Sequence, residues 1–203
     1  MAGDAMTVTG AMLVTVGLLF KLGAAPAHPW VPDVAEGAPV PAAAFLIVVP
    51  KIAAAVALAR FVALTPADPE VPSLHLALLA AATLVLGTLA PFRQDDVRRL
   101  IGWSSVGQTG NALIGVALVG RVPEALPALL GFDAAYALGN IAAITAVAHL
   151  RGRTALADHA VLVRPAPAAA LTLAFLSLMG ISPLAGFLGK FVLVLEAING
   201  NLA

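Results

Sequence analysis

The chain's 203 residues are 61% apolar and only 11% charged, with a formal net charge of +0 and a mean hydropathy of +0.98. An ordinary soluble domain is about 45–50% apolar and about 25% charged, so a bilayer is the natural solvent here, and the lack of a basic run excludes an electrostatic footprint for nucleic acid. No cysteine is present, which excludes disulfides, zinc thiolates and iron–sulfur ligation within the chain and leaves any redox centre to another polypeptide.

A crossing helix needs roughly 20 mostly apolar residues. In chain order, six segments meet or approach that length: Met6–Pro26, Val40–Leu64, Leu74–Phe92, Leu100–Gly120, Ala125–Leu150 and Ala168–Ile198. The first follows Asp4 rather than a basic stretch and reaches Lys21 where a small-residue cleavage site would stand. It is therefore read as a membrane segment that is retained. Proline, glycine and charge punctuate the connections: Pro29 to Pro41, the stretch holding Pro66, Pro69 and Pro72, Arg93 to Arg99, and Arg151 to Pro165. The apolar runs are continuous and lack a period of two, which excludes a β-barrel. The expected fold is all-α: one polytopic membrane domain over 1–203, with about six transmembrane helices.

Arginine placement orients that bundle. The loops between segments three and four and between five and six share a side and hold Arg93, Arg98, Arg99, Arg151, Arg153 and Arg164. The opposite loops hold Arg121, with Arg60 near a helix end. The positive-inside rule puts the arginine-rich loops in the cytoplasm and, with an even number of crossings, both termini outside.

Two segments look interrupted. One reads Lys21-Leu22-Gly23-Ala24-Ala25-Pro26-Ala27-His28-Pro29-Trp30; the other carries Gly180, Pro183, Gly186 and Gly189 ahead of Lys190. Paired glycine- and proline-broken apolar segments point to transporter ion sites, and irregular backbone at membrane depth must face protein or water. The alternative is that these prolines merely bend packed helices.

The three lysines of the chain, Lys21, Lys51 and Lys190, all lie within or against apolar spans. An ammonium at the bilayer centre costs at least roughly 2.5–3.5 kcal/mol. Lys21 can snorkel if its helix ends at Gly23. Lys51 cannot: it stands near the middle of its span, roughly 16–20 Å from either end at about 1.5 Å per residue. It must meet a partner, water or deprotonation. Burial disfavours a charged amine while a carboxylate or water favours it, so a lysine held between those influences can load and release a proton. Several such groups in a row form a relay; fixed ion pairs or snorkelling are the alternative.

His28, beside the first break, is read either as a proton carrier between Lys21 and Lys51 or as a capping and packing histidine. Asp133 shares a helical face with Tyr136 and Asn140, and either partners a lysine or sits solvated near the helix start. Ser104, Ser105, Gln108, Thr109 and Asn111 give the fourth span a polar start, suited to interhelical hydrogen bonds or to holding waters between proton sites. Glu196 is expected at the interface. His75, His149 and His159 lie at span ends or in loops and receive no role.

Three ordered blocks carry a family resemblance. Phe20-Lys21, Pro26, His28, Trp30, Pro32-Asp33-Val34 and Glu36-Gly37-Ala38-Pro39 form the first; Arg93-Gln94, Arg98-Arg99-Leu100 and Ser104-Ser105 the second; Gly180-Ile181-Ser182-Pro183, Gly186-Phe187 and Gly189-Lys190-Phe191 the third. Together they resemble the antiporter-like N subunit of NADH:quinone oxidoreductase (complex I), specifically the central and later helices of that longer subunit. The resemblance implies a proton-translocating subunit of a bacterial inner membrane with discontinuous helices. Lys21, Lys51, Lys190 and His28 would form the proton relay, with Asp133, Gln108 and Ser104 as possible partners. It implies other complex I membrane subunits and the lipid bilayer as partners, and no cofactor in this chain, NADH and quinone acting on the whole complex. The departures are Pro50 before Lys51, which predicts a kink, Pro29 after His28, Gln108 where histidine is frequent, and Asn111 where tyrosine is common. Two other readings stand: a subunit of a multisubunit cation/proton antiporter, and a truncated scaffold that transports nothing.

Overall fold

A computed structural model describes residues 2–64, 70–119, 121–149, 155 and 165–200. Among them are eight α-helices: α1 (Ala2–Leu22), α2 (Trp30–Gly37), α3 (Val40–Leu64), α4 (Glu70–Leu89), α5 (Val97–Leu118), α6 (Ala125–Ala148), α7 (Pro165–Met179) and α8 (Ala185–Asn199). A 3-10 turn, Ala90–Arg93, follows α4. The all-α expectation holds, but the count of six does not. The last predicted segment is broken into α7 and α8, the interruption expected of its glycines and proline, while the proline-rich stretch from Pro29 to Pro41, expected to be a connection, contains α2. The third, sixth and fourth helices supply the spans that are long and apolar enough to cross a membrane: Val40–Leu64, Ala125–Ala148 and, with its 3-10 extension, Ser73–Arg93. Met6–Leu22 and Ala166–Met179 are shorter apolar helices.

Helix α5 is the central column, packed on α2, α3, α4, α6 and α8. Small residues set that position, because helices in lipid associate through close packing rather than through a hydrophobic drive. A Cβ on Gly87 of α4 would lie 2.2 Å from the Gly107 nitrogen of α5, and one on Gly102 of α5 would lie 2.5 Å from Pro32 Cα of α2. On α3, Ala43, Ile47, Lys51, Ala54, Ala55 and Leu58 are buried along one face, a helical spacing that turns Lys51 inward. Pro50 lies inside α3, which continues through it as one helix.

The arginine-rich end is tied together locally. Asp96 caps α5, its carboxylate accepting from the backbone of Arg98 at 2.8 Å and Arg99 at 3.0 Å, a cap worth about 1 kcal/mol. Arg98 donates to the Ala38 carbonyl beyond α2, and Arg99 reaches Asp33 at 3.1 Å and Glu36 at 2.6 Å. Ala155 pairs with Asp96 in an isolated antiparallel bridge, which sets the chain after α6 beside the chain before α5. Arg151, Arg153, Arg164 and His159 lie outside the described residues.

Candidate functional site: two helix breaks joined by a buried polar row

The two breaks share one local design. Helix α1 ends with Gly23 at φ 70° and α7 with Gly180 at φ 88°, the left-handed conformation that only glycine adopts cheaply. At the first, Gly23 N–H donates to the Phe20 carbonyl and Ala24 N–H to Leu19; at the second, Gly180 N–H donates to Ser177 and Ile181 N–H to Leu176. This double bond pattern is the Schellman termination, so each break is a proper helix end rather than a distortion. Two further polar groups at the first break find partners. Ala25 N–H donates to Thr83 Oγ1 at 3.0 Å and Trp30 Nε1 to the Phe20 carbonyl at 2.9 Å.

Each break also holds a lysine against its glycine. The Nζ of Lys51 lies 3.5 Å from where a Gly23 Cβ would stand, and the Nζ of Lys190 lies 3.6 Å from that of Gly180. Lys190 donates to the terminal carbonyls of α7, Leu178 at 2.6 Å and Met179 at 3.2 Å. That is a cation on the negative end of a helix dipole, the favourable arrangement. Lys51 is only 3% exposed and donates to Ser105 Oγ at 2.7 Å, the Ser105 carbonyl at 3.2 Å and Thr109 Oγ1 at 3.2 Å. Three acceptors match the three donors of an ammonium.

From Lys51 a line of hydroxyls continues. Ser105 Oγ lies 2.8 Å from the Tyr136 hydroxyl, which itself donates to the Ile47 carbonyl on α3. A phenol has one proton. With that proton committed to Ile47, Ser105 is the donor to Tyr136 and the acceptor from Lys51. On the other side, Thr109 Oγ1 reaches the Leu22 carbonyl at the end of α1 at 2.9 Å, and Gln108 Nε2 donates to the Leu178 carbonyl at the end of α7 at 2.7 Å. Consecutive residues of α5 thus cap the two breaks. The Oε1 of Gln108 accepts from Asn111 at 3.2 Å.

Asp133 is buried, 4% exposed, rather than solvated, and its Oδ2 meets no hydrogen-bond partner among the described residues. It shares with Lys51, Gln108, Thr109 and Tyr136 the wall of a narrow cavity with room for about one water molecule. Ser104 is half-buried and is not the residue on Lys51; Ser105, one position and about 100° further round the helix, is. Lys21 is exposed on the outer side of α1 and joins neither of the other lysines. His28 sits beside the first break with its ring 5.4 Å from that of Trp103, and His28 Nδ1 and Trp103 Nε1 are both buried without a partner among the described residues. Glu196, expected at the interface, is 9% exposed. Ser105 and Thr109 do make the interhelical bonds expected of the polar start of that span; what the sequence did not show is that both meet Lys51, for which their i, i+4 spacing was the available signal.

The family described as NADH:quinone oxidoreductase/Mrp antiporter, transmembrane, matches residues 1–202. The chain is 43% identical over 210 residues to NADH-quinone oxidoreductase subunit N of Mycobacterium sp. (strain JLS), covering 98% of this chain and 45% of that protein. It is 45% identical over 206 residues to NADH-quinone oxidoreductase subunit N 1 of Streptomyces griseus subsp. griseus, covering 98% and 43%. The chain therefore spans less than half the length of these relatives. Among solved structures, a chain of respiratory complex I from Thermus thermophilus with bound Aureothin superposes with a TM-score of 0.75 at 33% identity, over 94% of this chain and 42% of that one. A chain of the Mrp complex from Dietzia sp. DQ12-45-1b gives 0.88 at 23% identity, over 99% and 38%, a likeness of fold.

Proposed function

Because the chain belongs to the NADH:quinone oxidoreductase/Mrp antiporter transmembrane family, we propose that it acts as a proton-translocating N-type subunit of a bacterial NADH:quinone oxidoreductase. Electron transfer from NADH to quinone proceeds on other subunits, and this chain moves protons within the membrane arm. One observation carries the reading: a lysine in mid-span, held by Ser105 and Thr109 against the end of a broken helix. Nothing in a purely structural bundle calls for that amine, since an apolar residue there spares at least roughly 2.5 kcal/mol.

In this mechanism Lys51 and Lys190 are the two loading sites, each stabilised as ammonium by hydroxyls or by terminal carbonyls of a broken helix. Lys21, facing outward from α1, is the relay member that a neighbouring helix covers, because an ammonium against hydrocarbon is costly. His28 serves the first break, where it has an unbonded ring nitrogen. The surroundings are a multi-pass setting in the bacterial plasma membrane, with lipid and other membrane subunits as neighbours and the arginine-rich loops in the cytoplasm.

The test uses inverted native membrane vesicles oxidising NADH. Lys51→Ala and Lys190→Ala should each lower proton uptake at least about tenfold while NADH oxidation with a hydrophilic acceptor persists. Undiminished pumping by both variants overturns the proposal. Sodium-dependent flux without any NADH requirement would transfer the chain to the cation/proton antiporter reading.

A further inference from the structure

The hydroxyl row that starts at Lys51 does not lead to a second proton site. It passes through Ser105 and Tyr136 and ends on the Ile47 carbonyl, a backbone acceptor that holds no proton. Gln108, which stands between the lysines, does not titrate, and both of its polar atoms are engaged, by Leu178 and Asn111. A proton leaving Lys51 needs another acceptor.

One group on the cavity wall has the chemistry. Asp133 is almost wholly buried and its Oδ2 has no bond among the described residues. It lines the same water-sized space as Lys51. It also adjoins the second break: a Cβ on Gly189, the residue before Lys190, would lie 3.0 Å from the Cα of Phe132, the residue before Asp133. The polar groups that share its cavity are Lys51 from α3, Tyr136 from its own helix, and Thr109 and neutral Gln108 from α5, while Lys190 lies on the carbonyl end of α7.

We propose that Asp133 is the proton acceptor of Lys51 and the station between the two lysines, reached through a water in the shared cavity. In the step, an N–H bond of the Lys51 ammonium breaks as its proton joins the water. An O–H bond of that water breaks in turn, and its proton forms an O–H bond on the Asp133 carboxylate. An ion pair becomes a neutral amine and a neutral acid, with no oxidant or reductant involved. In a poorly solvated interior those two arrangements compete closely, which makes the exchange reversible. The proposal rests on the relay reading above and gives that relay its own internal carboxylate.

The experiment uses the same inverted vesicles and follows NADH-driven proton uptake together with the infrared carboxylic-acid stretch during turnover. Asp133→Asn should lower uptake at least about tenfold, Asp133→Glu should restore it, and the Lys51→Ala, Asp133→Asn double variant should be no worse than either single one. The protein should show a turnover-dependent carboxylic-acid band that Asp133→Asn removes. If Asp133→Asn and Asp133→Leu pump fully while Lys51→Ala does not, the Asp133 proposal falls and the relay stands. If Lys51→Ala and Lys190→Ala also pump fully, the relay itself falls. Where Asp133→Asn fails to accumulate, the band in the unaltered protein decides: its absence overturns the proposal, and its shift in Asp133→Glu supports it.

Discussion

Thr109→Val is the sharpest probe of how the first break is held. It keeps the branched shape and removes one hydroxyl, which now reaches the Leu22 carbonyl at 2.9 Å and accepts from Lys51 at 3.2 Å. The Leu22 carbonyl would lose its side-chain donor in a buried position, and Lys51 would keep only the two Ser105 acceptors. An unsatisfied buried carbonyl costs about 1–3 kcal/mol and a bond to a charged group about 1.5–3, so a combined loss of about 3 kcal/mol is expected once the two share a relaxation. For a chain of this size that corresponds to a Tm lower by about 6–12 °C, measured by thermal unfolding in detergent. Proton uptake in vesicles should fall as well, while Thr109→Ser, which retains the hydroxyl, should sit near the unaltered protein in both assays. A valine variant with unchanged Tm and unchanged uptake would refute the assignment of Thr109 as the clamp between Lys51 and α1.

Gly23→Ala should cost about 1–2 kcal/mol from its left-handed backbone alone, and its methyl would stand 2.3 Å from Val31 Cγ2. Loss of both Tm and proton uptake is expected. Gly87→Ala would put a methyl against the Gly107 backbone, forcing α4 off α5 at about 1–3 kcal/mol or more. A drop in Tm and altered cysteine cross-linking between α4 and α5 would register it. Arg99→Gln, by contrast, removes only an exposed contact to Asp33 and Glu36. Its effect should stay below about 1 kcal/mol and vanish at high salt, as denaturation at two ionic strengths would show.

What the sequence revealed followed from local rules. The span Val40–Leu64 was bounded correctly because an apolar run between prolines has only one length. Lys51 stood out because no stem reaches water from the middle of that run. The breaks were visible as Gly and Pro at matching offsets, Gly23 with Pro26 and Gly180 with Pro183. Helix α2 was hidden because eight residues carrying Asp33 and Glu36 read as a polar connection. Its burial depends on the missing side chain at Gly102, on a distant segment. Choosing Ser105 over Ser104, and tracing the row to Tyr136 and Ile47, needed the rotation of α5 relative to α3 and α6. Nothing within one segment sets that rotation. The burial of Asp133 has the same origin, since its depth depends on where α8 lies against α6.

The neighbouring positions Gln108 and Thr109 grip opposite broken helices from a single rigid rod. Because both bonds spring from one helix, any rotation of that rod would disturb the two helix ends at once.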